Sequence, residues 1–552
     1  MATADVAEDP HVPGTVHLVD LEGTMHAQHA RGGQKDIVLV PAPSQDPDDP
    51  LNWSPRRKVL STVCMCVYTL MVGIASAAIY SVLEPISEAT GLTLGELNAG
   101  TGYMFLFFGW GCLFWQPLAL QYGKRPVYLF SILATMAIQL WAPYTKNNGQ
   151  WIANKILQGF VGAPIESLCE ISVTDIYFQH ERGTYIALYA LLLAGSNFLA
   201  PVFAGFIADG QSWEWVLYWC AIFCAMGFVF LFFFMEETNY DRHAISGVTA
   251  TQASSPTGSA SPAEIANEKA VMPKTGEAEA DTESSQGTQQ TYKKKNYLDK
   301  IKLFQSADLR KSNHLGGMIA RPLIFLSFPV IFYAGFSYGS NLVWFNVLNA
   351  TASLILSGEP YNFQASMVGL SYLSPLIGVA VGSFYTGVVG DKVVLRMARR
   401  NKGLLEAEHR LWLFLPSLLL IPFGLILWGV GAAHHIHWFG CVFAMGVIAL
   451  TNTIGLQLSV SYCIDSYRDL GGEAMVTVIL VRNTMSFAIG YGITPWVTDM
   501  GLQNAFILAA FVGLAQCLSF LVMVKFGKRF RKASATRYAT YVEQMAHSGM
   551  VH

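Results

Sequence analysis

Apolar and polar positions alternate along this chain in long blocks. Apolar runs cover roughly 59–83, 98–120, 126–145, 151–172, 183–208 and 214–235, then 322–348, 365–390, 411–431, 437–462, 472–496 and 503–525. A helix needs about 20 apolar residues to cross a bilayer. The pattern therefore predicts an all-α integral membrane protein with twelve transmembrane helices in two six-helix halves. The expected divisions are a polar tail (1–55), a first half (56–237), a linker (238–320), a second half (321–526) and a second tail (527–552). The linker stretch SGVTATQASSPTGSASPAEIANE has almost no large apolar residue, so it cannot build a core and is expected to be disordered. Its end, KKKNYLDKIKLF, reads either as a short interfacial helix or as a solvated charge run. The first tail, with its SQDPDDP run, is expected to be disordered to about Asp46.

Composition narrows the class. Of 552 residues, 52% are hydrophobic and only 13% charged, which excludes an ordinary soluble protein and a disordered one. A net charge of −3, with no basic face or zinc-finger spacing, gives no support to a nucleic-acid partner. The nine cysteines all lie in or beside apolar runs and read as buried thiols. The first 50 residues are polar, so no cleavable signal sequence is expected.

Charge placement sets the expected orientation. With the first tail in the cytoplasm, that side collects Arg56, Arg57, Lys58, Lys124, Arg125, Arg182, the KKK run, Lys392, Arg396, Arg399, Arg400, Lys402, Arg410 and Arg468, while the other side holds Lys146. This obeys the positive-inside rule. The expected location is the plasma membrane, with the vacuolar membrane as the alternative. The loop after the seventh run carries the sequon Asn349-Ala350-Thr351 and is expected on the outer side, a glycosylation candidate. His434, His435 and His437 fall in another outer loop, where a solvated loop outweighs a metal site.

Candidate chemistry concentrates in the fourth run, KILQGFVGAPIESLCEISVTD, Lys155 to Asp175. Lys155, Gly159, Ala163, Glu166 and Glu170 fall roughly on one helical stripe. Charges are costly at membrane depth and usually face a bundle interior or a water-filled path. The stripe reads as the lining of a solute or proton pathway, with a structural ion pair as the alternative. Arg482 sits in the middle of the eleventh run and needs a partner, either a first-half carboxylate or a substrate anion. Asp175 is expected to meet Arg182 at the cytoplasmic edge, and Glu84 to face an outer vestibule. Asn341, Asn346, Asn452, Gln457 and Asn483 could touch solute or bond helix to helix. Tyr80, Tyr103, Trp344 and Tyr491 could stack on an organic cation. No convergent His, Cys or carboxylate set and no phosphate-binding loop is present, which predicts neither an enzyme nor a cofactor.

Local repeats place the two halves side by side. Gly123-Lys124-Arg125-Pro126 follows the second run, and Gly387-Val388-Val389-Gly390-Asp391-Lys392 follows the eighth. These resemble the loop signature of the major facilitator superfamily. The resemblance covers about residues 52–530 and implies a gating loop at Gly123, Lys124, Arg125, Gly387, Asp391 and Lys392. Gln116 and Leu120 stand where the first copy should have Gly and Asp. Lys155-x-x-Gln158-Gly159 is similar to a family motif tied to proton coupling, with Lys in place of Arg. Ala200-Pro201-Val202-Phe203-Ala204-Gly205 resembles the antiporter packing motif, around Pro201 and Gly205, with two glycines replaced by alanine. The stretches DDPLNWSPRRK, APIESLCEISVTDIYF, HERGTYIALY and VRNTMSFAIGYGITPW resemble a fungal branch of the twelve-spanner drug:proton antiporters that includes polyamine and histidinol permease-like proteins. The resemblance implies a monomeric, proton-coupled carrier of a small organic solute in the bilayer, with Lys155, Glu166, Glu170, Arg482 and Asn483 on its pathway. Export of a drug-like compound or secondary metabolite is the leading expectation; uptake of polyamines or other organic cations is the alternative.

Overall fold

The computed structural model describes residues 13–17, 46–240, 300–304, 315–401 and 404–547. The linker's basic run lies almost wholly outside the described residues. The first half comprises α1 (Pro55–Ala77), α2 (Leu83–Thr90), α3 (Leu94–Tyr122), α4 (Lys124–Trp141), α5 (Asn148–Gly162), α6 (Pro164–Ile176), α7 (Gln179–Gly210) and α8 (Trp213–Phe234). The second half comprises α9 (Leu315–Phe325), α10 (Pro329–Ser357), α11 (Ala365–Ser371), α12 (Leu373–Phe384), α13 (Gly390–Arg400), α14 (Ser417–Ala433), α15 (Trp438–Ser466), α16 (Gly471–Leu518) and α17 (Phe520–His547). Two three-residue strands, β1 (Thr15–His17) and β2 (Leu404–Glu406), pair antiparallel.

Among the described residues, ten helical stretches are long and apolar enough to span a membrane, and α9 with α10, bent by 77°, makes an eleventh. Gly501, at φ +74°, breaks the last stretch into two arms that match the eleventh and twelfth expected runs. The seventh run was expected from residue 322. Instead the chain turns between the two prolines, Pro322 inside α9 and Pro329 at the start of α10, because proline cannot continue an upstream hydrogen-bond ladder. The fourth run is also divided. Pro164 opens α6 after α5 ends at Gly162, but Ala163 between them keeps helical backbone angles (φ −50°, ψ −34°), and the two segments form one span, Asn148–Ile176.

Both tails lie at one end of the bundle, here the tail end, and the opposite end is the loop end. The halves meet along two seams. On one, α3 packs against α16: a Cβ at Gly490 would lie 2.9 Å from the Gly102 Cα, and Asn98 Nδ2 donates across the seam to Ala350 O (3.3 Å) and Thr494 Oγ1 (3.2 Å). On the other, α7 packs against α11: a Cβ at Gly205 would lie 2.9 Å from the Ser366 Cα, and one at Gly369 would lie 3.1 Å from the Val202 Cα. Small residues let helix backbones approach closely. The Pro201–Gly205 stretch is therefore part of the contact between the halves.

The tail end is held by buried charges, in twin arrangements. Lys124 at the start of α4 pairs with Asp175 at the end of α6, and Arg410 pairs with Asp465 at the end of α15 (2.6 Å). Asp175 was expected on Arg182; that arginine donates to the Tyr177 and Thr174 carbonyls. Glu237, just past α8, accepts from the Lys124 and Arg125 N–H groups at 3.0 Å each. Burial pushes its carboxyl above the ordinary value, against the pull of these N–H groups. In the second half the signs are exchanged: Glu408 meets Arg531 of α17 at 2.5 Å. Arg125 also donates to Ile301 O, and Arg531 to Pro13 O. Each arginine thus takes a carbonyl from the segment that precedes the other half. The first tail is ordered here, not only after Asp46, because β1 adds to β2 beside this contact.

Three other candidate features take definite places. Asn349 lies within α10 and is 3% exposed, so its side chain cannot present itself to a glycosylating enzyme from a loop; the helix simply continues to Ser357. Gly387 sits in a π-helical turn, Tyr385–Val389, and Asp391 and Lys392 are exposed with no ion pair among the described residues. His437 caps α15 by accepting from Phe439 N at 3.3 Å.

Glu237→Ala is expected to lower stability by about 1–3 kcal/mol, because the buried N–H groups of Lys124 and Arg125 lose their acceptor. Glu237→Gln, which keeps an acceptor oxygen, should lose less. Thermal melting of the purified protein in detergent checks the order.

Candidate functional site between the halves

The two halves meet at mid-depth around one cation. Arg482 lies 11 residues into α16, about 16 Å from its start. It is 6% exposed, and its guanidinium pairs through Nη2 with Glu166 of α6 in the first half. Nη1 donates to the Tyr338 hydroxyl of α10, and the guanidinium lies 4.5 Å from the centre of that ring. Gly339 makes this possible, since a Cβ there would lie only 3.0 Å from the Arg482 Cα. The ion pair thus joins α6 of one half to α16 of the other. Arg482 finds the first-half carboxylate that its burial demanded. Its Nε and the neighbouring Asn483 Nδ2 are buried with no hydrogen-bond partner.

Glu170 follows Glu166 by one helical turn towards the tail end. It has no ion-pair partner among the described residues and is only partly buried. It is therefore a carboxylate at the seam that is not committed to Arg482. Lys155 goes elsewhere. It is fully buried within the first half, donating to Gln158 Oε1 (2.9 Å) with its Nζ 4.6 Å from the Trp151 ring centre. Gln158 in turn donates to the Ala75 carbonyl of α1 (3.0 Å). The structure pairs Glu166 with Arg482, leaves Glu170 one turn away, sets Asn483 against Gly109 of α3 and keeps Lys155 in a packed network within the first half.

Other polar and aromatic candidates separate by position. Asn346 and Asn349 reach the seam near the loop end, together with Tyr80. Gln457 is committed to Thr386 and Ser383 of neighbouring helices. Tyr103 meets Phe487 across the seam with ring centres 5.0 Å apart. Trp344 packs against Gly513, whereas Tyr491 is 60% exposed, with its ring centre 6.4 Å from that of Phe487. Sequence reading missed Tyr338, because a lone tyrosine in an apolar run carries no pattern. It also missed Glu237, which lies outside every motif.

Removing one member of a buried ion pair strands the other charge. Arg482→Met is expected to cost about 3–5 kcal/mol. Adding Glu166→Leu in the same chain should restore most of that loss. A double-mutant cycle read by thermal melting checks the coupling; additive losses would show that the pair does not hold the halves together.

The comparisons with known proteins agree on the fold and the family. Over 96% of its length this chain is 29% identical to an uncharacterized MFS-type transporter of Schizosaccharomyces pombe, covering 94% of that protein. It is 26% identical to Protein HOL1 of Saccharomyces cerevisiae, over 94% of this chain and 95% of that one. The xylose transporter XylE from E. coli, solved in a partially occluded inward-open conformation, shares the fold at a TM-score of 0.53 and 13% identity, covering 85% of this chain and 98% of the other. The Major Facilitator Superfamily model matches residues 65–495, most of the membrane-spanning region. The chain is a multi-pass membrane transporter of small solutes and belongs to the Major Facilitator Superfamily.

Proposed function

We propose that this transporter is proton-coupled and moves an organic small molecule, with export of a drug-like compound or secondary metabolite as its principal activity. The observation that carries the coupling is the Glu166–Arg482 pair across the seam. A carboxylate that gains a proton loses its attraction for a guanidinium. Protonation of Glu166 would free Arg482 and loosen the halves at mid-depth, and deprotonation would draw them back. Glu170, one turn nearer the tail end, would receive the proton or a cationic group of the solute. The tail end lies in the cytoplasm, which follows from the Lys and Arg distribution. The protein acts as a monomer at the plasma membrane.

The second reading is proton-driven uptake of polyamines or other organic cations. The uncommitted Glu170 carboxylate favours it, because an acidic group at the seam suits a cationic solute.

Labelled spermidine uptake into yeast lacking its own polyamine permeases, at outer pH 5 and pH 7.5, separates the readings. Faster uptake at acid pH that is lost in Glu166→Gln would establish import with Glu166 in the path. No uptake at either pH, with the protein at the cell surface, leaves export. It would then be tested as the rate at which cells lose a preloaded hydrophobic dye, with Glu166→Gln expected to slow that loss at least tenfold. Undiminished transport in the variant would remove Glu166 from the coupling step.

A further inference from the structure

The cations at the tail end are used differently in the two halves. In the first half, apart from Arg56, they are taken up inside the protein. Arg57 pairs with Glu236 (2.5 Å) and Lys124 with Asp175, while Arg125 and Arg182 donate to backbone carbonyls. The second half also pairs Arg410 and Arg531. Beyond these, Lys392, Arg396, Arg399 and Arg400 of α13 and Lys525 and Arg529 of α17 are exposed, and they make no ion pair among the described residues. The exposed carboxylate within α13 is Asp391, in its first turn.

Position gives these cations a common neighbour. From α11 through α13 the chain forms one helical span, Ala365–Met397, of 33 residues. That is about 50 Å, longer than the ~40–45 Å of a bilayer with its headgroups. The span begins at the loop end, where Ser366 N donates to the exposed Asp209 carboxylate (2.9 Å), so its surplus turns emerge at the tail end. Leu373, Ile377, Val381, Phe384 and Val388 are exposed three or four residues apart and form one stripe, which faces hydrocarbon. The same step continued reaches Lys392, Arg396 and Arg399. Val394, 5% exposed, is turned the other way. The last span repeats the pattern. Phe511, Leu518 and Val522 are exposed on a face that continues into Lys525 and Arg529, whose charged heads lie 5.4 and 5.7 Å from the Phe526 ring centre. Residues 407–414 join the two spans. Leu413 O accepts from the Tyr385 hydroxyl (3.2 Å), and the Phe414 and Phe520 rings stack at 5.9 Å. Trp412, 39% exposed, lies in this joint, and tryptophan favours headgroup level.

We propose that α13 and the start of α17 form a binding surface for anionic phospholipid headgroups, with the phosphates against the cations and the acyl chains along the Leu373–Val388 stripe. Lys and Arg clusters just outside a span attract anionic lipid, and a single cation near the surface enriches it about fivefold. Arginine adds a fork of donors that matches a phosphate. The first half has spent its cations on internal contacts, so lipid selectivity belongs to the second half. General attraction of a basic end to an anionic leaflet would not separate the halves in this way. The inference takes the tail end as cytoplasmic only to say which leaflet supplies the lipid; it does not depend on the solute or on proton coupling.

The test reads lipid identity beside each half. The full chain, in a Cys66→Ser background, carries a bimane label on Phe384→Cys, or on Phe234→Cys, which is 45% exposed at the tail end of α8 in the first half. The other native cysteines are buried. Phosphatidylcholine nanodiscs contain a rising fraction of lipid with a nitroxide on its acyl chain and a head of either phosphatidylserine or phosphatidylcholine. Both leaflets have the same composition, so the reading does not depend on which side is cytoplasmic. At Phe384→Cys, half quenching should need a mole fraction of the serine lipid about fivefold lower than that of the choline lipid. At Phe234→Cys the two should agree within about twofold. Lys392→Gln with Arg396→Gln and Arg399→Gln should bring the Phe384→Cys label to the same agreement, whereas Arg396→Lys with Arg399→Lys should keep the preference. Equal quenching by the two lipids at Phe384→Cys would overturn the proposal and leave an acidic polypeptide, such as the linker stretch 277–283, as the occupant. A preference of the same size at both labels, or one that the Gln set leaves intact, would overturn it too. If the Gln set does not purify folded, the comparison of the two labels in the parent chain decides.

Discussion

The buried charge of Arg482 is the constraint on which the arrangement of the two halves depends. A guanidinium keeps its charge in any protein environment. At membrane depth it must have an anionic or strongly polar partner. Here the partners come from two other helices: Glu166 on α6 and Tyr338 on α10. Glu166 of α6 reaches the seam and pairs with Arg482, while Lys155 of α5 bonds within the first half.

Around that pair the seams are made by absence of side chains. Gly102 against Gly490 and Gly205 against Ser366 bring backbones together at the loop end. At the tail end each half is tied within itself by charge. Lys124 and Arg125 are matched to Asp175 and Glu237 in the first half, and Glu408 and Arg410 to Arg531 and Asp465 in the second. Among the described residues, the ion pair that crosses between the halves is Glu166–Arg482. The carbonyls of Pro13 and Ile301, each supplied to the opposite half, add a second kind of crossing contact at the tail end.

Hydropathy carried the all-α membrane architecture, because a bilayer leaves few alternatives to long apolar helices. The carboxylate partner of Arg482 was legible for the same reason: an internal cation demands one. What escaped depended on where helices break and turn. The 77° bend before Pro329 shifts a boundary by several residues, and no composition signal reports its angle. Asn349 was misplaced because the polar loop was drawn nine residues too early, at 349, although α10 runs unbroken to Ser357. Glu237 and Tyr338 were invisible because their roles come from contacts between residues distant in sequence.

Lys155 and Arg482 show why a charge motif alone does not locate a pathway. Both are cations deep in the bundle, and both rest against an aromatic ring. Lys155 ends in three rotatable donors on a compact head, so one glutamine oxygen and the Trp151 face are enough to hold it inside a single half. Arg482 presents five donors in a rigid fork. Glu166 takes one side of the fork and Tyr338 another, and Nε is left without an acceptor. That residual demand can be met only by something that enters the seam, a water or a polar group of the solute. The difference between the two is thus where their partners lie: both contacts of Lys155 are within one half, whereas Arg482 bridges the halves and keeps an unmatched Nε at the seam.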